Sequence, residues 1–133
     1  MSVAKPLPHD SARLHVTGKA RYVDDAPTPS GTYHLAFGLS TIACGEVTSI
    51  NLDPVRAASG VVRVLTADDL PFENDVSPSI HDEPLLSTGS VHYLGQPLFL
   101  VVAKSHLEAR KAARLAKVEY REDKPILTVD EAL

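Results

Sequence analysis

The sequence predicts an α+β fold, a sandwich of mixed and antiparallel strands with two packed helices. Three observations predict it. Apolar residues alternate with period two at Tyr33, Leu35, Phe37 and Leu39, the mark of a strand with one buried face. Ala109, Ala112, Ala113 and Ala116 recur at i, i+3, i+4 and i+7, a small-residue face that lets a helix lie close on a sheet. The connections between most of these segments are short, mixing hairpins with crossovers, as a layered domain requires.

The elements follow in order. Residues 1–32 have weak periodicity and carry Pro6, Pro8, Pro27 and Pro29. They read as an extended N-terminal arm with one short strand or turn near Ala20 to Val23. The domain proper is expected over 33–133, a first strand spanning Tyr33 to Ser40. Gly45 marks a turn, and Thr48, Ile50 and Leu52 alternate again as a second strand. Asp53-Pro54 reads as a helix start, with Asp53 as N-cap and proline at the first helical position. Gly60 sits where that helix should stop, so 54–59 is a short helix. Val61 to Leu65 is a third strand, and Thr66 can cap a single turn over Ala67 to Leu70.

Residues 71–88 hold Pro71, Pro78 and Pro84 among acidic and polar residues, a long loop of the kind that is usually functional or disordered. Val91 and Tyr93 predict a short strand. Gly95-Gln96-Pro97 breaks it, and Leu98 to Ala103 follows, apolar on both faces and therefore central. Ser105-His-Leu-Glu108 is a capping box that opens the alanine-faced helix. Val118 and Tyr120 alternate with Glu119 and Arg121 as a last strand. Thr128-Val-Asp-Glu131 is a second capping box, a helix start with no helix after it, which implies a polypeptide that continues.

Composition narrows the function classes. With 133 residues, 44% hydrophobic and 23% charged, the chain is long enough for one core and ordinary for a soluble globular domain. The net charge of −4 argues against nucleic acid or an anionic membrane as partner, since both require clustered basic charge. No apolar run is long enough for a bilayer span, and the proline-broken opening is no secretory signal. The single cysteine, Cys44, can form no internal disulfide and can hold no iron–sulfur cluster alone. A reducing, cytoplasmic setting fits. Seven aromatic residues, none of them Trp, are too few for a deep aromatic ligand cage.

Each chemistry-bearing residue also has a structural reading. His9, His15, His34, His81, His92 and His106 show no i, i+4 pair on a predicted helix and no carboxylate completing a metal triad. Asp24-Asp25 and Asp68-Asp69 could be acid/base or cation-binding pairs, but a turn before Pro27 and the first turn of a helix account for them more simply. Cys44, flanked by Ala43 and Gly45, has no local base to activate it. Ser11, Ser30 and Ser40 lack the Gly-x-Ser-x-Gly elbow, and no glycine pattern cradles phosphate. Gly95-Gln96-Pro97 is the most unusual local feature. Its amide could be aimed at a neighbouring domain or cofactor. The simpler account is that Gly95 bends the chain, Pro97 opens a strand where no ladder donor is needed, and Gln96 caps a backbone group.

Four blocks in order carry a family resemblance over nearly the whole chain. Lys5-Pro-Leu-Pro-His9, Ser11-Ala-Arg-Leu-His15 and Thr17-Gly-Lys-Ala-Arg-Tyr-Val-Asp-Asp25 form the first, and Gly60-Val-Val-Arg-Val-Leu-Thr-Ala-Asp-Asp-Leu70 the second. Tyr93-Leu-Gly-Gln-Pro97 with its apolar strand is the third. Val118-Glu-Tyr120, Pro125-Ile126 and Glu131-Ala132-Leu133 make the fourth. Each is modest alone, and together they resemble the opening of bacterial xanthine dehydrogenase large subunits, of the xanthine dehydrogenase, aldehyde oxidase and carbon monoxide dehydrogenase group.

The resemblance implies an α/β hammerhead at the start of a molybdenum-cofactor subunit. It implies hydroxylation of a purine carbon with oxygen from water at a molybdenum–pterin centre in the full subunit. Electrons would then pass through iron–sulfur clusters and FAD on a partner subunit to NAD. The Pro8-His9-Asp10-Ser11-Ala12 opening favours xanthine dehydrogenase over its cousins. The family's glutamate base, substrate-binding arginine and glutamate, sandwiching phenylalanines and pterin-binding glutamine lie in later domains. None has a counterpart here, and the motif around Gln96 differs from the pterin glutamine's. The resemblance therefore implies no catalytic, cofactor-binding or metal residue in this chain, whose expected partners are the remainder of the large subunit and the iron–sulfur/FAD subunit. Two rivals stand beside this reading: an aldehyde oxidase or carbon monoxide dehydrogenase relative, and a stand-alone binding module. A biotin or lipoate carrier would need a hairpin-tip lysine beside methionines, and the only methionine is Met1.

Overall fold

The computed structural model describes residues 6–133; the first five residues of the predicted arm lie outside them. The chain divides into two compact units, Met1–Ser30 and Gly31–Leu133.

In the first unit the expected extended arm is replaced by a helix, α1 (Ala12–Val16), and a 3-10 turn over Val23–Asp25. The physical reason lies in the placement of the prolines. Pro6 and Pro8 precede the helix and do not interrupt it, while Ala12, Arg13 and Leu14 are good helix formers. Gly18 ends the helix at φ +68°, where the amides of Lys19 and Ala20 both donate to the Leu14 carbonyl (2.8 and 3.0 Å).

The second unit is an α+β hammerhead of two three-stranded antiparallel sheets. Strands β1 (His34–Leu39), β3 (Val61–Leu65) and β5 (Pro97–Ala103) form one sheet in the order β1-β5-β3. Strands β2 (Gly45–Asn51), β4 (Ser90–Val91) and β6 (Lys117–Glu122) form the other in the order β4-β2-β6. The strand that is apolar on both faces, β5, is central as expected, with Phe99, Val101 and Ala103 each 1% exposed or less. Helix α3 (His106–Ala113) lies against β1 and β5 through Ala109 and Ala112, both buried. Its N-cap Ser105 accepts from the Glu108 amide (3.2 Å), and the Ser105 hydroxyl donates to the Glu108 carboxylate (2.8 Å), closing the predicted box through the hydroxyl. Helix α2 (Asp53–Arg56) packs on β3 and α3 through fully buried Val55.

Several expectations shift. Helix α2 is shorter than 54–59 and is capped one residue earlier, at Leu52, because the Asn51 side chain already accepts from the Asp53 amide (2.9 Å). In β2 the alternation through Thr48 fails at a register shift between Val47 and Ser49, and Leu52 is buried outside the strand. Tyr93 lies beyond β4 in an exposed turn. Thr128 does start a helix, α4 (Val129–Ala132), its hydroxyl accepting from the Glu131 amide (3.3 Å).

The largest reversal is in β1. Its alternation has the right period and the opposite facing. Ala36 and Gly38 turn inward, while Leu35, Phe37 and Leu39 are about half exposed. The helix face opposite is built of alanines, and the aromatic ring of Phe99 lies directly under Gly38, so there is room on that side only for small residues.

Candidate functional site

Two buried polar residues, Ser40 and Gln96, are brought together from 56 positions apart. Gly95 sits at φ +85°, a conformation that L side chains rarely adopt, and turns the chain back on the end of β1. The Ser40 hydroxyl donates to the Tyr93 carbonyl (2.9 Å) and accepts from the amides of Gly95 and Gln96 (both 3.1 Å). The Ser40 amide in turn donates to the Gln96 carbonyl (2.9 Å). The Gln96 side chain points inward, where its Oε1 accepts from the His92 amide (2.7 Å). This is backbone capping, as the simpler reading had it, and a residue 3% exposed cannot reach a neighbouring domain. A fully engaged, buried Ser40 hydroxyl likewise has no nucleophilic role. Serine 40 as the anchor of the 93–96 turn was not legible in sequence, since nothing local pairs it with residues so far away.

The acidic pairs also serve local geometry. Asp25 accepts from the Tyr22 amide (2.9 Å). Asp69 repeats the motif, accepting from the Thr66 amide (2.9 Å) and hydroxyl (3.0 Å). These Thr66 hydrogen bonds, chiefly the backbone one, hold the Asp69 carboxyl below its ordinary range, with Arg63 assisting. Among the histidines, His15 Nδ1 lies 2.9 Å from the Tyr22 hydroxyl, and His9 Nδ1 accepts from the Ser11 amide (3.1 Å). Among the described residues no three His, Cys, Asp or Glu side chains gather as a metal site. Cys44 is half-buried, and its carbonyl accepts from the Asp123 amide.

The 71–88 loop is two structures in one. Its base is tied to the domain. The Asn74 side chain donates to the Leu86 carbonyl (2.7 Å) and accepts from the Leu86 amide (3.0 Å), and Leu86 is wholly buried. Above it a small ring closes. Ser77 Oγ accepts from the amides of Asp82 and Glu83, and the Val76 amide donates to the Glu83 carbonyl (2.9 Å). Asp75 accepts from the Ser77 amide (2.8 Å) and pairs with His81. The Ser77 hydroxyl and amide, with His81, hold the Asp75 carboxyl down at about 2. Val76 and Ile80 remain exposed on this ring, and Phe72 is exposed in the segment that precedes it.

A groove of about 440 Å³ lies between β1, α3 and β6. Phe37, Gly38, Leu39, Phe99, Val118 and Tyr120 give it an apolar floor, and Arg110 and Arg114 stand at its rim. It holds no catalytic constellation: no carboxylate, histidine, cysteine or serine is among its lining residues.

Comparison with known proteins agrees with this architecture. Residues 17–124 match the family model described as aldehyde oxidase and xanthine dehydrogenase, a/b hammerhead domain. The chain is 39% identical over 132 residues to a xanthine dehydrogenase of Oryza sativa subsp. japonica, covering 99% of this chain and 10% of that protein. It is also 39% identical over 132 residues to a nicotinate hydroxylase of Emericella nidulans, covering 98% of this chain and 10% of that protein. Among solved structures, the aldehyde oxidoreductase of Desulfovibrio desulfuricans superposes with a TM-score of 0.84 at 27% identity, over 96% of this chain and 15% of that one. Carbon monoxide dehydrogenase of Oligotropha carboxidovorans gives 0.76 at 31% identity, over 92% and 15%. The chain thus spans about a tenth of the length of the curated relatives it matches.

Proposed function

The chain belongs to the aldehyde oxidase and xanthine dehydrogenase family as its a/b hammerhead domain, and from that premise we propose that it is the non-catalytic N-terminal lobe of the molybdopterin-binding subunit of a xanthine dehydrogenase. The observation that carries this reading is the pairing of a hammerhead fold with an apolar exterior. Leu35, Phe37 and Leu39 on β1 and Phe72, Val76 and Ile80 on the loop are all at least 45% exposed. Apolar surface of this extent marks a contact with something larger. In the first unit Leu7, Val16, Tyr22 and Val23 are exposed in the same way.

In this reading the lobe packs against the remainder of the large subunit and the iron–sulfur/FAD subunit, in the cytoplasm. No helix among the described residues is long and apolar enough to cross a membrane. The reaction is purine hydroxylation toward urate. The plant and fungal relatives do not single out a bacterial, split-subunit form, which rests on the four sequence blocks between Lys5 and Leu133 taken together. The family's cofactors supply hydroxylation and electron transfer when bound elsewhere in the enzyme. The donor set of this chain does not fit them: one cysteine and no gathered metal ligands among the described residues. No step of the reaction passes through its side chains.

An aldehyde oxidoreductase or carbon monoxide dehydrogenase is the second reading, favoured by the superpositions on those two enzymes. The test is substrate choice by the complete enzyme that carries this domain. Turnover of xanthine or hypoxanthine well above aldehydes and carbon monoxide is the expected result, and preference for either of the latter overturns the first reading. The isolated chain is expected to give no turnover with any electron acceptor and no bound molybdenum, iron or flavin. Stoichiometric metal in tag-free protein would count against assigning cofactor binding to the rest of the enzyme.

A further inference from the structure

We propose that the groove between β1, α3 and β6 is a strand-addition site that receives an extended, carboxylate-bearing segment supplied by the remainder of the enzyme. Among the described residues strand β1 pairs with β5 alone, so its other side is a free sheet edge. Among the same residues strand β6 pairs with β2 alone and is an edge of the second sheet. Residues of both edge strands line the same groove: Ala36 to Leu39 from β1, Val118 and Tyr120 from β6. At one end the Thr41 amide donates to the Tyr120 hydroxyl (3.4 Å), joining the two walls.

A six-residue edge with apolar side chains at Leu35, Phe37 and Leu39 is a template for an added strand. Proteins usually blunt such an edge with a bulge, a proline or an inward charge. Here the only irregularity lies at its far end, between Gly38 and Leu39. The edge therefore behaves as one meant to be covered.

Charge selects the occupant. Arg110 on α3 and Arg114, the residue that caps its C-terminus, are four apart, and both line the groove. Neither guanidinium forms an ion pair or hydrogen bond among the described residues, although the chain as a whole carries −4. Side chains of an added strand alternate in direction, so every second residue can send a carboxylate toward α3 while its main chain follows β1. Apolar residues at the intervening positions would meet Phe37 and Leu39. The source of the segment rests on the reading given under Proposed function; the chemistry of the groove does not.

The probe is a synthetic peptide of alternating valine and glutamate, compared with the same peptide carrying lysine for glutamate. Binding is followed by amide NMR on the 133-residue chain. The acidic peptide should perturb and protect the amides of 36–39 and bind about tenfold more tightly than the basic one, a preference that weakens with salt. Arg110→Glu with Arg114→Glu should reverse the preference. If that double variant fails to fold, Arg110→Gln with Arg114→Gln should abolish it. In the complete enzyme the β1 amides should already be protected, and neither peptide should bind. Equal binding of both peptides, perturbation centred on the other edge at Val61 to Leu65, no binding at all, or charge-independent self-association through β1 would each overturn the proposal. A complete enzyme inactive on purines would instead sink the functional reading and leave the peptide result standing.

Discussion

The ring of Phe99 lies so close beneath Gly38 that a Cβ built at position 38 would stand 2.0 Å from Cε1 and Cζ of the ring. Gly38 and Phe99 are opposite one another in the β1–β5 register, next to the irregularity that ends the pairing. Gly38→Ala should therefore destabilise the domain by about 1–3 kcal/mol, the usual cost of overpacking a filled core. Urea unfolding of the variant checks it. In a Phe99→Leu background the same substitution should cost clearly less, and equal costs in both backgrounds would show that the ring is not the obstacle.

That contact explains what the sequence could and could not disclose. The period of β1 was legible, and so was the central position of β5, because two apolar faces need cover on both sides. The facing of β1 was not legible, since alternation in one strand does not say which set looks inward. The alanine face of α3 held the missing signal. A helix that offers only alanines can lie close to a strand that offers Ala36 and Gly38, and the large residues of β1 must then turn away. Helix α1 was hidden by its flanking prolines, which lie before it.

Ser40 makes the second prediction. The residue is 4% exposed, and its hydroxyl accepts from two backbone amides and donates to the Tyr93 carbonyl. Ser40→Ala removes all three hydroxyl bonds and leaves the turn held by the longer backbone bonds from the Gly95 amide to the Ser40 carbonyl (3.1 Å) and from the Gln96 amide to the Tyr93 carbonyl (3.2 Å), at a cost of about 0.5–1.5 kcal/mol. Gln96→Leu removes the acceptor of the His92 amide and should act on the same turn. The two substitutions should therefore be non-additive in denaturant unfolding, whereas simple additivity would mean that the turn is held by something else.

Asp75 sets the third, in acid. Its carboxyl is lowered from 3.8 to about 2 by the Ser77 hydroxyl and amide and by His81. A group whose folded pKa is depressed contributes stability above its unfolded value and loses it as pH falls through the folded one. The contribution of the 75–83 ring should thus be complete above 3.8 and fade toward about 2. Asp75→Asn should speed amide exchange at Val76 near neutral pH and flatten the acid dependence of that exchange. A variant with the same acid profile as the parent would show that Asp75 does not close the ring.

The 71–88 loop gives the last prediction, because its apolar residues divide into two classes that the sequence presented as one. Leu86 is wholly buried and is tied at both its amide and its carbonyl to the Asn74 side chain. It is a core residue of its own domain. Ile80, on the ring that stands above, is 71% exposed, and Phe72, which precedes the ring, 59%. Leu86→Ala should cost about 2–5 kcal/mol, as other large-to-small core changes do. Ile80→Ala should stay within about 0.5 kcal/mol in the isolated chain, since nothing covers it there. In the complete enzyme the two should converge in their effect on assembly, because the exposed ring is assigned to an interface and Leu86 supports its base. Hydrogen exchange separates the classes directly. Amides at 85–87 should exchange as slowly as those of β5, and amides at 78–81 should exchange fast in the isolated chain and slowly in the enzyme. Slow exchange at 78–81 in the isolated chain would mean that the domain closes the whole loop by itself, and the interface assigned to it would then be wrong.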